Sequence, residues 1–302
     1  MRINRSHTIK CILAIIVFFL TDFTVSAFLK YGLDKGMGLN EHSQVLIVGH
    51  SHLMMGLDRQ MMEKGLRCKV TKHTRAGVGI VERELMVQMF LSSQYADSLK
   101  VVVIGVDPYL FNDEGLSENS FTLFYPWMDN VHVGEYIYNA TDFTTYYAHK
   151  LFRTAGFSDD LIKQSVRGWK HDDRNYKTHV FTDTEFQSNK AKWDRPIVMN
   201  SKAMKVLEEI ITMCTNRNLH VILLQAPVLK SLTDLHRKDY SDILAYYQNL
   251  DADNSKVHFL NLSPSYENDN SLFFDPIHLN VCGQKKVTED LIGFLAENNY
   301  LQ

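Results

Sequence analysis

Cysteine is scarce in this chain, with four in 302 residues, and Cys11, Cys68, Cys214 and Cys282 lack the spacing of a metal-binding set. No disulfide framework is expected. Runs of like charge are missing too: Lys and Arg number 32 against 35 Asp and Glu, a net −3. Neither the overall field nor a local patch therefore suits a nucleic-acid partner. Internal repeats and low-complexity tracts are also absent. What the chain has in quantity is apolar sequence, 45% hydrophobic against 22% charged, too much for a disordered protein. Its length suits one large core, so we expect one globular domain carrying an insertion.

The first thirty residues differ in kind. Arg2, Arg5 and Lys10 precede "CILAIIVFFLTDFTVSAFL", Cys11 to Leu29, in which Asp22 is the sole charge. That is about the length needed to cross a bilayer once. A removable signal peptide is one reading, with Val25-Ser26-Ala27 as a small-residue cleavage site. An uncleaved anchor is favoured, because apolar character resumes from Phe23 to Leu29. Either reading exports the rest of the chain, and the preceding basic residues predict a single-pass protein with its C-terminal domain outside the cell membrane. For Asp22 the alternatives are snorkelling to the interface and a polar contact with another membrane protein.

The expected organisation is residues 1–29 as anchor or signal, 30–43 as a polar linker and 44–302 as the main domain. Within that domain, β-branched apolar runs alternate with longer segments of helical period. Strands are expected over Gln44 to Val48, Lys69 to Thr71, Val101 to Val106, His220 to Leu224 and Val257 to Leu260. Helices are expected over Met54 to Lys64, Val81 to Leu91, Ser201 to Asn216, Tyr240 to Leu250 and Gly283 to Glu297. Near-continuous apolar strands such as "VVVIGV" point to an α/β fold, a doubly wound, five-stranded parallel sheet. From about 112 to 198 the alternation breaks into polar sequence with interleaved aromatics, read as a mostly helical insertion beside the active-site edge.

Functional residues gather at the carboxyl ends of parallel strands. The first strand runs into Gly49, His50, Ser51 and His52, and the glycine is expected to make a sharp turn. Near the other end of the chain, "DPIHLNVCG" sets Asp275 three residues before His278. A nucleophilic serine needs a base, and the base needs a partner that fixes its tautomer. Ser51, His278 and Asp275 supply all three.

These two blocks, "IVGHSH" and "DPIHLNVCG", resemble those of the SGNH, or GDSL-like, hydrolases and acyltransferases. The membrane-anchored bacterial branch, similar to the proteins of teichoic acid D-alanylation and alginate O-acetylation, also begins with a spanning helix. The resemblance covers roughly 43 to 112 and 200 to 300, and leaves the insertion unexplained. It implies a flavodoxin-like SGNH sheet, Ser51 as nucleophile, His278 as base and Asp275 as orienter. It further implies oxyanion donors at the Ser51 N–H and, as the likeliest glycine, Gly77. The family's Gly-Asp-Ser reads Gly-His-Ser here, and its Gly-X-Asn-Asp block is replaced by Gly105-Val106-Asp107-Pro108. An ionised Asp107 in place of the oxyanion asparagine would repel developing negative charge. His50, His52 and Asn112 are the candidates to replace that donor.

The function so implied is an exported serine esterase or O-acyltransferase acting on acyl groups of a cell-envelope glycan, without a cofactor. Another class of function is a non-catalytic accessory subunit of a membrane O-acyltransferase. A rival chemistry is a zinc site, with His50 and His52 joined by His73, Asp107 and His278.

Overall fold

A computed structural model describes residues 5–112, 119–172 and 174–301. Two compact units emerge, one of Met1–Gly36 with Phe121–Asp172 and the other of Met37–Ser120 with Asp173–Gln302.

The second unit is built on five parallel strands, β1 (Val45–Gly49), β2 (Val70–Thr74), β3 (Val101–Val106), β4 (His220–Gln225) and β5 (Val257–Asn261). They lie in the order β2-β1-β3-β4-β5. Every residue of β1, β2 and β3 is buried, as expected where helices cover both faces of a parallel sheet. The strand order reverses between β1 and β3, and in open α/β sheets the carboxyl ends of strands at such a point are where ligands bind. The expected strands all form, with ends shifted by a few residues.

The expected helix from Met54 to Lys64 is two helices. Helix α2 (Ser51–Gly56) stops before Leu57, and α3 (Arg59–Leu66) starts after Asp58, whose Oδ1 accepts from Met61 N at 3.0 Å. Asp58 is thus the α3 N-cap. Lys72, buried on β2, donates its Nζ to Met54 O at 3.0 Å and to Leu57 O at 2.5 Å. A cation on these terminal carbonyls fixes the end of α2. Helix α4 (Ile80–Leu91) follows β2. The helices Ser201–Thr215, Arg237–Asp253 and Val281–Glu297 answer the remaining helical expectations.

The stretch from about 112 to 198 is divided between the units. Residues from Arg174 onward belong with the sheet, where Phe181 and Phe186 enter the core with Val228, Leu229 and Phe273. Asn112 ties this segment down, its amide donating to Pro196 O at 3.0 Å and its carbonyl accepting from Val198 N at 3.1 Å.

The first unit pairs the N-terminal helix with the other half of that stretch. Helix α1 (Arg5–Met37) runs without a break through most of the segment expected as a linker. Its stretch Ser6–Met37 is long and apolar enough to cross a membrane by length and composition. Helices α5 (Val131–Ala140), α6 (Phe143–Leu151) and α7 (Asp159–Trp169) complete the unit. Helices α1 and α7 approach closely at glycines: a Cβ on Gly168 would collide with Gly32 O, and one on Gly36 would meet Gly168 Cα at 2.9 Å. Small residues spaced four apart allow such backbone contact.

Candidate active site

Ser51 follows β1 as the first residue of α2, with His50 as its N-cap. The chain does turn sharply from strand to helix at Gly49–Ser51, but Gly49 has no positive φ, so left-handed backbone freedom is not what it contributes. What Gly49 provides is room. A Cβ at Gly49 would meet the Leu53 side chain at 3.0 Å, and one at Gly105 would meet it at 2.8 Å. Leu53 therefore seats α2 on the ends of β1 and β3, and this holds Ser51 at the carboxyl ends of those strands.

Ser51 Oγ lies 2.8 Å from His278 Nε2, and His278 Nδ1 lies 2.8 Å from Asp275 Oδ2. These partners assign the tautomer: Nδ1–H donates to the carboxylate, and Nε2 accepts the serine hydroxyl. The Asp-Pro-Ile-His spacing has a local cause. Asp275 Oδ1 accepts the backbone N–H groups of Ile277 and His278, both at 2.9 Å, so one carboxylate folds the turn and meets the ring. Burial alone would raise the Asp275 pKa, but the hydrogen bonds and charge of His278 hold it below the usual carboxylate range. The helix that follows is capped by Asn280, whose Oδ1 accepts from Cys282 N and Gly283 N at the head of Val281–Glu297.

Asn175 links the serine and histidine segments. Its amide Nδ2 donates to Met55 O at 3.1 Å, in α2, and to Leu279 O at 2.9 Å, beside His278. Gln284 adds a bond from Nε2 to Leu57 O at 2.9 Å and accepts from Asn175 N at 3.3 Å.

No protein-family model matches this chain, and no curated protein matches it. Among solved structures, it is similar to a Streptococcus pneumonia protein assigned provisionally as a platelet activating factor. That match has 10% identity and a TM-score of 0.41, and covers 95% of this chain and 98% of the other. A family two carbohydrate esterase from Clostridium thermocellum, solved in complex with cellohexaose, is 11% identical with a TM-score of 0.35. The match covers 87% of this chain and 66% of the esterase. An active-site mutant of a family two carbohydrate esterase from the same organism has a TM-score of 0.35 at 10% identity, with the same coverage.

A second His–Asp pair lies behind Ser51. His50 Nδ1 accepts from His52 N at 3.2 Å, which leaves its Nε2–H to donate to Asp107 Oδ2 at 3.1 Å. Arg83, buried on α4, places Nη2 3.4 Å from the same oxygen and donates Nη1 to Gly105 O. Tyr109 N donates to Asp107 Oδ1 at 2.9 Å. Burial opposes ionisation of Asp107, yet His50 and Arg83 override it and hold the carboxyl far below its ordinary range. The repulsion expected from Asp107 is thereby reduced, because its charge is matched in place by a guanidinium. Burial lowers the His50 pKa and lowers that of His52 well below its ordinary value, so both rings are neutral near pH 7. The His52 ring packs edge-to-face on His278, with centroids 5.5 Å apart, and lies 4.1 Å from His50.

Among the described residues, His50, His52 and Asp107 bring ligand-type atoms within 4.8 Å of one another. His73 and His278 of the expected zinc set are not in this group. The residues present fit a metal poorly, since both His50 ring nitrogens are engaged and the Arg83 guanidinium sits on the one carboxylate. Asn112, offered as a replacement oxyanion donor, spends its amide on Pro196 and Val198. Gly77, in the loop after β2, has φ +80°, a conformation that favours glycine.

Sequence reasoning missed Arg83, Lys72 and Asn175. Arg83 and Lys72 did carry a weak signal, each being the one Lys or Arg in its element. Asn175 had none, because its role depends on two segments distant in the chain.

Proposed function

We propose that this chain is a membrane-anchored serine esterase or O-acyltransferase, with α1 as the anchor and the sheet unit exported. The observation that carries the chemistry is the hydrogen-bonded run from Ser51 through His278 to Asp275. In this reading Ser51 Oγ attacks an ester carbonyl while His278 Nε2 takes its proton. The tetrahedral oxyanion is met by the N–H groups of Ser51 and Gly77. Collapse expels the alcohol, which recovers the proton from His278, and leaves an acyl-Ser51 ester. Water or a sugar hydroxyl then gives its proton to His278 and bonds to the acyl carbon, and the acyl–Oγ bond breaks as Ser51 Oγ takes that proton back from His278. Asp275 keeps Nδ1–H in place throughout and stabilises the transient imidazolium.

The substrate class, acyl groups on a cell-envelope glycan, rests on the resemblance to the SGNH proteins and on the anchor. Support for catalysis over a purely accessory role is that a scaffold has no physical need of a nucleophile with its base and orienter in contact. The test is fluorophosphonate labelling of the detergent-solubilised full chain beside Ser51→Ala and His278→Ala. Labelling lost in both variants supports the reading. Unlabelled, folded wild-type protein would overturn it and favour an accessory subunit of a membrane acyltransferase.

A further inference from the structure

Asp22 is 7% exposed although the apolar residue beside it, Phe23, is 55% exposed. Its carboxylate accepts Arg153 N at 2.8 Å, Thr154 N at 3.0 Å and the Thr154 hydroxyl. The charge within the apolar helix thus caps the 3₁₀ turn Arg153–Gly156 of its own chain. This capping sets a depth. In an α-helix, Asp22 stands about 17 Å along the axis from Cys11 and about 10 Å from Leu29. The distance from Cys11 to Leu29, about 27 Å, nearly fills a bilayer core of about 30 Å. The Asp22 cap then lies below the headgroups, and it holds residues 152–154 there with it. Backbone at that depth needs its N–H groups satisfied, which is what Asp22 does.

The chain leading into this turn is unusually apolar for a surface. Helix α6 has no buried residue. Phe143, Tyr147 and Leu151 are 68%, 50% and 54% exposed, and their spacing of four puts them along one side of the helix. Phe152 continues the patch and joins it to α1, with its ring centroid 6.1 Å from Phe18 and 6.0 Å from Phe19.

We propose that α6 and Phe152 are embedded in the lipid bilayer, in the leaflet crossed by the Asp22 end of α1. Phe143, Tyr147, Leu151 and Phe152 then meet acyl chains, and the helical unit is a monotopic foot beside the span. The occupant is lipid because the patch is continuous with the helix face that meets lipid, and because Asp22 draws the turn to that depth. This rests on the reading of α1 as a membrane span.

The test uses full-length chain in phosphatidylcholine vesicles, with its native cysteines replaced and one cysteine introduced by Val17→Cys or Tyr147→Cys. Each is labelled with an environment-sensitive dye and read with doxyl-lipid quenchers and aqueous iodide. The expected result is that both positions lose most of their emission to doxyl lipid and are shielded from iodide. Quenching by lipid at 17 with free iodide access at 147 would overturn the foot and leave the span standing. Iodide access at both positions would overturn the span, and the foot with it.

Discussion

Ser51 Oγ and His278 Nε2 stand 2.8 Å apart, although 227 positions separate them in the chain. Helix α2, seated by Leu53, presents the serine, while the Asp275 turn presents the ring. Neither segment alone fixes that distance.

On the proposed mechanism, loss of the Asp275 carboxylate has a distinct signature. Asp275→Asn keeps an oxygen for the turn but can hold His278 in the wrong tautomer, so ester hydrolysis or fluorophosphonate labelling should slow by roughly 10⁴ with folding intact. A rate within tenfold of wild type would remove Asp275 from the mechanism.

Asn175 is expected to act as a positioning residue. Asn175→Leu leaves the carbonyls of Met55 and Leu279 without this donor, at a cost of about 1–3 kcal/mol if they stay dry. Because the link joins the serine and histidine segments, kcat should fall more than KM rises. Asn175→Gln should recover part of it. A stability loss with unchanged kinetics would make the residue structural only.

Arg83→Met should be among the most disruptive substitutions in the sheet unit. It strands the buried Asp107 carboxylate with the neutral His50 ring as its close side-chain partner, a change that in buried pairs costs about 3–5 kcal/mol. The double change Arg83→Met with Asp107→Asn should be less damaging than Arg83→Met alone. Urea unfolding of these two variants and of Asp107→Asn alone checks this, and simple additivity would show that the two groups are not coupled.

Acid should weaken the fold before the carboxylates titrate. Burial, then the charge of Arg75, pushes the His73 pKa down to about 3 from an ordinary 6.5. Between those values the unfolded chain binds a proton that the folded chain refuses, so stability rises with pH and is lost on acidification. The slope is at most about 1.4 kcal/mol per pH unit for one histidine. His50 and His52, also lowered by burial, add in the same direction. Asp275 acts in a lower window: its lowered pKa stabilises the fold above the ordinary 3.8, and that contribution is lost as pH falls through the folded value. His73→Gln should remove about one proton from the stability slope between pH 6 and 4, and an unchanged slope would exclude His73 as its source.

The strands were readable from sequence because a parallel sheet buried on both faces demands continuous β-branched runs, as in Val101–Val106. Asp275 and His278 were readable because their contact is local, made within one turn. The break between α2 and α3 was harder to see, since Asp58 caps one helix just after the other ends. The partners of Asp107 were hidden for another reason: Arg83 reaches it from α4, and only the packing of that helix on the sheet brings them together.

Sequence by itself determined the alternation of strands and helices, the apolar N-terminal helix and the types of residue at the strand ends. These depend on period, composition and short-range geometry, which a chain carries locally. Tertiary structure alone decided that Asp22 caps a turn 131 residues away, that Asn175 joins two segments, and that Asp107 is balanced by Arg83. Burial forces such groups to find partners, but which partner is in reach depends on how distant elements pack.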